Sequence, residues 1–413
     1  MTKIRNVFAF MLNISLGALA FLLPFEPRFL AIIYIVAIIS FLIHKPLNEV
    51  IGNLKNHRFQ LLLFSSFLLI NVLSLAWTEN LKAGQQSIDP KMAFLLVPLI
   101  FFGSNFQKGF AASILKLFIL SVLISMLVCT VLAVYFYLKT SNPELLYYSE
   151  FSRFMHVGYI SMYLNFCMVY ALNHLTLNRK IFFKNSNTDV WVIFILAIVF
   201  QFIVANKTGI ITAIILLLYL SGDYFIRLKK LGIFVSIALA IIFIPLLFIL
   251  IVPGFRARVE QTAKEFRGEA LTINEAQSVN IRKQIWKEAW DLGLQRPIAG
   301  YGVGDVNDEL MKRYSSHKIE FAQKEHLNAH NQFLQTWLSC GILGVMALCS
   351  LILLLMPFHR FENHQIIFAF LFIIFLMMLT ESIFERQAAT VFFALVTCLL
   401  TISFSKKTII SHK

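Results

Sequence analysis

Apolar runs dominate the chain, each separated from the next by a short polar break. They lie near 7–23, 29–43, 59–76, 92–103, 111–138, 154–174, 189–205, 208–221, 231–252, 329–356, 365–381 and 388–404. A bilayer core about 30 Å thick needs about 20 apolar residues per helix. Inside lipid the backbone must satisfy its own hydrogen bonds, which selects helices here. The pattern therefore predicts an all-α polytopic membrane protein with about 12 transmembrane helices. The fourth run is short and the fifth long. Only Asn206-Lys207-Thr208-Gly209 separates the seventh from the eighth, which predicts a tight hairpin or a re-entrant pair. The run behind Lys3 and Arg5 imitates a signal peptide. No Ala-x-Ala pattern precedes Pro24-Phe25-Glu26-Pro27, so a retained first helix is expected.

One long polar stretch, 253–328, interrupts the runs. It divides the chain into an N-terminal bundle of nine spans (1–252), a loop (253–328) and a C-terminal bundle of three spans (329–413). Within the loop, Ile281, Ile285, Trp286, Ala289 and Trp290 recur at helical spacing, with Asn280 placed to cap the helix. Tryptophans beside Arg282, Lys283 and Lys287 suit a helix at the membrane interface. A purely structural lid over the bundle fits the same pattern.

Composition changes this picture little: 58% of the 413 residues are hydrophobic and 14% charged. A soluble domain carries about 25% charged residues. Charge changes it more. The formal net charge of +14 would point to nucleic acid if it were spread over the chain. With the N-terminus in the cytoplasm, the cytoplasmic segments hold sixteen lysines and arginines against four acids. The loop 253–328 holds twelve against eleven. The excess thus follows the positive-inside rule. It places both termini in the cytoplasm, puts the loop outside, and leaves no reason for a nucleic-acid partner. The five cysteines all fall in apolar runs, where they act as small hydrophobes.

Ionisable groups at membrane depth are costly and mark function. On the outer side the candidates are Lys207, Arg282, the cluster His326-Leu-Asn328-Ala-His330-Asn331, and Glu381-Ser-Ile-Phe-Glu385-Arg386-Gln387, in which Glu381 and Arg386 could pair with each other. His156 and Tyr159, three apart, share a helix face at the outer start of the sixth run. They suit an acceptor groove or an interfacial aromatic belt. Gly300-Tyr-Gly302-Val-Gly304 imitates a nucleotide-binding loop, but no strand precedes it. No carboxylate stands at ligand spacing from the outward histidines, so no metal is expected.

The segment AHNQFLQTWLSCGILG (329–344) resembles the signature of the O-antigen ligase and polymerase family of bacterial envelope glycan enzymes. IRKQIWKEAWDLGLQRPIAGYGVGD (281–305) resembles the same family's loop pattern. NKTGIITAIILLL (206–218) is similar to an earlier span, and ESIFERQ (381–387) to the last outer loop of some members. The resemblance implies a C-type glycosyltransferase-like bundle. It would act at the periplasmic face of the inner membrane on glycan carried by undecaprenyl diphosphate. It implies His330 as the base on the acceptor hydroxyl, with Arg282 and Lys207 on the donor diphosphate. His326, Asn331, His156, Tyr159, Glu381 and Arg386 are expected as site support. Lys207 stands where arginine is commoner, so a point charge replaces a bidentate grip. The implied reaction is inverting and needs no metal or other cofactor, because the carrier-linked donor is already activated. The implied acceptor is a lipid A core sugar. The alternatives are polymerisation on the same donor, transfer to protein, or, as a different class, transport. Transporters tend to carry repeats and polar groups at the bilayer midplane, whereas the polar candidates here gather at one face.

Overall fold

A computed structural model describes residues 2–25, 29–104, 106–177, 179, 181–183, 186–251, 253–267, 279–353 and 364–404. All regular structure among them is helical. The chain opens with α1 (Thr2–Leu22), α2 (Leu30–His44), α3 (Leu47–Asn56) and α4 (Arg58–Leu73). Next come α5 (Leu81–Lys91), α6 (Ala93–Ser104), α7 (Lys108–Thr140), the single turn α8 (Tyr148–Phe151) and α9 (Val157–Thr176). α10 (Thr188–Val204), α11 (Lys207–Arg227), α12 (Leu231–Ile251) and α13 (Pro253–Arg267) follow. The loop then contributes α14 (Val279–Gly293), α15 (Val306–Ser316) and α16 (Glu320–Lys324). The chain returns through α17 (Gln332–Leu353), α18 (His364–Thr380) and α19 (Gln387–Phe404).

A helix occupies each of the twelve apolar runs. Among the described residues, seven spans are long and apolar enough to cross a membrane, or eight if the bent pair α2–α3 counts as one. Thr188–Val204, His364–Thr380 and Gln387–Ser403 are apolar but shorter. α2 and α3 meet at 108°, because Pro46 stands in extended conformation between them. The short run at 92–103 is corrected: α5 extends it backwards, and Leu81–Ser104 forms one 24-residue candidate span. α7 has 33 residues, about 50 Å of helix, so it must tilt or project beyond the hydrocarbon.

α19 is the centre of the bundle. Every residue from Ala388 to Leu400 is buried, against α6, α7 and α9. Phe384 and Phe393 stack edge-on with Phe94 and Phe67 at its outer end. α12 is its opposite, almost wholly exposed. Both are apolar all round, one because protein surrounds it and the other because lipid does.

The segment before α17 and the loop share a second, smaller core of Ile285, Ala289, Leu310, Tyr314, Ala329 and Leu338. Its joint is a break in α17. Gly341, at φ +63°, interrupts the helix, and the Ile342 amide donates to the Pro297 carbonyl (2.9 Å) instead of to its own helix. The freed carbonyls of Leu338 and Ser339 accept from the Tyr301 and Gly302 amides at 2.7 and 2.9 Å. A side chain on Gly341 would strike the Ile298 carbonyl at 1.9 Å. One on Gly302 (φ +95°) would strike Thr78 at 2.3 Å. The glycine run therefore docks the loop, and Asp305 completes the dock by accepting from the Glu79 and Asn80 amides at 2.8 Å each. Asn280 is not the cap of α14: the helix starts one residue earlier, at Val279.

Candidate functional site

The site begins where α17 begins. The Asn331 side-chain oxygen accepts from the amides of Phe333 (2.9 Å) and Leu334 (3.1 Å), capping the helix. Its NH₂ donates to the Leu379 carbonyl at 3.1 Å, tying the cap to the end of α18. Asn331 is thus spent on structure, and it fixes its neighbour. His330 sits at φ +43°, a left-handed conformation uncommon for residues other than glycine. Two bonds hold it there. Its amide donates to Asn328 Oδ1 (3.0 Å), and its carbonyl accepts from Trp286 Nε1 of α14 (3.3 Å).

The His330 ring meets Glu381 in the turn past α18, with Nδ1 2.9 Å from Oε2. Arg282 of α14 donates to the other carboxylate oxygen, Oε1, at 2.6 Å. The expected pairing of Glu381 with Arg386 is therefore corrected: the partner is Arg282, because α14 crosses α17 close to the end of α18. Burial acts to raise the Glu381 carboxyl. The His330 contact and the Arg282 charge outweigh it and hold the group below the usual range. An ionised carboxylate can only accept, so the proton of a neutral His330 sits on Nδ1 and the lone pair on Nε2.

The ring faces a cavity of about 400 Å³. Asn328, His330, Glu381 and Ser382 line it together with Met155, His156 and Tyr159, and Arg386 and Gln387 border it at the start of α19. His156 precedes α9 and accepts from the Gly158 amide through Nδ1 (3.2 Å). Its ring stands edge-on to Tyr159 at 5.9 Å. Desolvation by these walls lowers the His156 pKa; Glu381 partly offsets this, while the Arg282 and Arg386 charges reinforce it.

The remaining expected residues lie off the wall. Lys207 is the first residue of α11. Its neighbour Thr208 bonds Thr380 at 3.1 Å, so it shares this end of the bundle, but Lys207 itself does not border the cavity. His326 is exposed, at φ +49°, and away from the cavity. Arg153, three residues before His156 and not among those expected, is exposed and lies over the Phe136 ring at 4.5 Å.

A second fastening went unread in the sequence. Lys91, in the polar break before the fourth apolar run, is 1% exposed. Its ammonium reaches Glu385 Oε2 (2.7 Å), the Ser87 carbonyl (2.9 Å) and Ser87 Oγ (3.0 Å). Gln332 Oε1 accepts from the Phe384 amide (2.7 Å), and Tyr163 donates to the Ala388 carbonyl (2.7 Å). The turn 381–387 is thus pinned along its whole length. Its only signal in the sequence was a lysine set between a proline and an apolar run. Among the described residues no three His, Cys, Asp or Glu side chains converge as metal ligands.

This arrangement holds an oriented imidazole against a carboxylate–arginine pair, beside a cavity that presents a further cation, at one end of a membrane bundle. The family model described as O-antigen ligase matches residues 192–349, which carry both Arg282 and His330. No curated protein matches the chain. Through that segment the chain, an integral membrane protein, is similar to the O-antigen ligase family.

Proposed function

We propose that this cavity moves a glycan from undecaprenyl diphosphate to a sugar hydroxyl, with a lipid A core sugar as acceptor. The observation that carries the reading is the contact of His330 Nδ1 with an ionised Glu381. It leaves Nε2 as a lone-pair base on the cavity wall. A sugar hydroxyl attacks poorly until its proton is taken, and a positioned base contributes about 10²–10⁴-fold. In the step, the acceptor oxygen bonds the anomeric carbon as the bond from that carbon to the carrier phosphate breaks. The acceptor proton passes to Nε2, and the electron pair leaves with the diphosphate. Attack opposite the leaving group inverts the anomeric centre. Glu381 stabilises the imidazolium that forms, and Arg282 holds Glu381 in place. The reading sets this chemistry at the periplasmic face of the inner membrane, and the cation bias of the sequence supports that orientation.

The test uses the full chain in lipid nanodiscs, undecaprenyl-diphosphate-linked glycan, and two acceptors: lipid A core and a second carrier-linked glycan. The proposal expects glycan on the lipid A core, inverted linkage by NMR, and turnover that survives EDTA. Elongation on the carrier alone makes the protein a polymerase. Transfer to neither acceptor overturns the reading.

A further inference from the structure

The sequence resemblance puts the donor's phosphate charge on Arg282 and Lys207. The geometry points elsewhere. Arg282 donates through one terminal nitrogen to the Glu381 carboxylate at 2.6 Å, and neither it nor Lys207 borders the cavity. We propose that the phosphate subsite is the start of α19, built from Arg386, the Ser382 hydroxyl and the first amides of the helix. The inference rests on the transfer reading above and deepens it by saying where the anion sits.

Three independent features converge there. Arg386 is exposed on the cavity border, and no carboxylate among the described residues pairs with it. Its sequence neighbour Glu385 cannot cancel it, because that carboxylate is held by Lys91 at 2.7 Å. Ser382 also borders the cavity. It is 3% exposed, and its hydroxyl has no hydrogen-bond partner among the described residues. A buried hydroxyl left unbonded is uncommon and asks for a ligand oxygen. Finally, α19 is an 18-residue helix whose first residues, Gln387 and Ala388, line the same cavity. The opening amides of a helix lack helical acceptors and form its positive end, a ready anion site.

The charge balance agrees. Glu381 cancels Arg282, and Arg386 remains, so with neutral imidazoles the wall carries one uncompensated positive charge. The turn that bears it is pinned at Glu381 and at Glu385, so the subsite is preorganised. His330 lines the same cavity, so the base for the acceptor and the receiver of the leaving phosphate share one space.

A phosphate could come from the donor's diphosphate or from a phosphorylated acceptor core, and the test separates them. Undecaprenyl diphosphate, undecaprenyl monophosphate and phosphorylated lipid A core are titrated onto the full chain in nanodiscs. The proteins are wild type, Arg386→Ala, Arg386→Lys, Ser382→Ala and Arg153→Ala, each shown to fold by thermal unfolding. Arg386→Ala should weaken undecaprenyl diphosphate binding about 10- to 100-fold. Arg386→Lys should recover part of it, Ser382→Ala should lose less, and Arg153→Ala should match wild type. A loss confined to the phosphorylated core keeps the subsite and assigns it to the acceptor. Unchanged affinity of Arg386→Ala for all three, in a protein whose wild type binds and transfers, overturns the subsite and leaves the transfer reading standing. A wild type that neither binds the diphosphate nor transfers glycan overturns both.

Discussion

Two His–Glu–Arg clusters draw on one helix. α14 supplies Arg282 to the cluster with Glu381 and His330. Six residues on, it supplies Glu288 to a cluster with Arg313 and His317 of the neighbouring α15 turn, at 3.3 and 3.0 Å. The residue types match and so do the imidazole–carboxylate distances, 2.9 and 3.0 Å, while the arginine contact is closer in the first cluster, 2.6 against 3.3 Å. The surroundings do not. The His330 side chain is 17% exposed and looks into the cavity. The His317 side chain is 46% exposed and borders no part of it. The first cluster joins three elements distant in sequence, while the second staples two adjacent helices of the loop. An imidazole on a carboxylate is a fastening wherever it occurs. It becomes a base only where the other ring nitrogen faces a space that a substrate can fill.

The sharpest way to break this comparison is to remove the carboxylate from each cluster. Glu381→Gln keeps the shape but no longer fixes the tautomer or stabilises the imidazolium, and single-turnover transfer should fall roughly 10²-fold. Glu288→Gln should leave transfer unchanged and lower thermal stability by about 0.5–1.5 kcal/mol, through the contacts that its buried side chain gives up. Equal losses of transfer in both variants would dissolve the distinction.

Next in size is the Lys91–Glu385 fastening. Breaking a buried ion pair from one side costs about 3–5 kcal/mol, so Lys91→Met should unfold at clearly lower temperature. The double variant Lys91→Met, Glu385→Gln should recover much of that stability, since no uncompensated buried charge is left. Thermal unfolding in detergent reads both. A double variant no better than the single one would show that the pair does not act as a unit.

The smallest expected effect is a pH dependence. The carboxyl of Glu381 is held below its ordinary range when folded. Its ionisation therefore contributes stability that is present above the unfolded value, about 4.3, and is lost as pH falls through the folded one. The stability gap between wild type and Glu381→Gln should be full at neutral pH and close on acidification. A gap that persists undiminished in acid would remove the charge from the explanation.

The helices were legible because lipid imposes their length and composition, and each apolar run became one. Where the reading failed, a distant partner decided. Asp89-Pro90-Lys91 looks like the polar end of a loop, and only Glu385 makes its burial tolerable. Glu381 and Arg386 sit five apart and invite pairing, yet the partner lies 99 residues upstream. His326 and His330, four apart, imitate a helical pair. Both stand at positive φ, so the segment is not a helix and only one ring reaches the cavity. The glycines at 300–304 looked like a phosphate loop, but their use lies in the break at Gly341, which no local pattern discloses. The matched segment 192–349 holds His330 and Arg282, while the cavity wall at 155–159 and the turn at 381–388 fall outside it.

The most direct test of the central claim substitutes the two histidines in parallel. His330→Ala and His317→Ala are compared by single-turnover transfer, with undecaprenyl diphosphate binding measured on the same folded preparations. The account predicts that His330→Ala loses about 10²–10⁴-fold in rate with donor affinity little changed, and that His317→Ala transfers like wild type. Near-normal transfer by folded His330→Ala would contradict it.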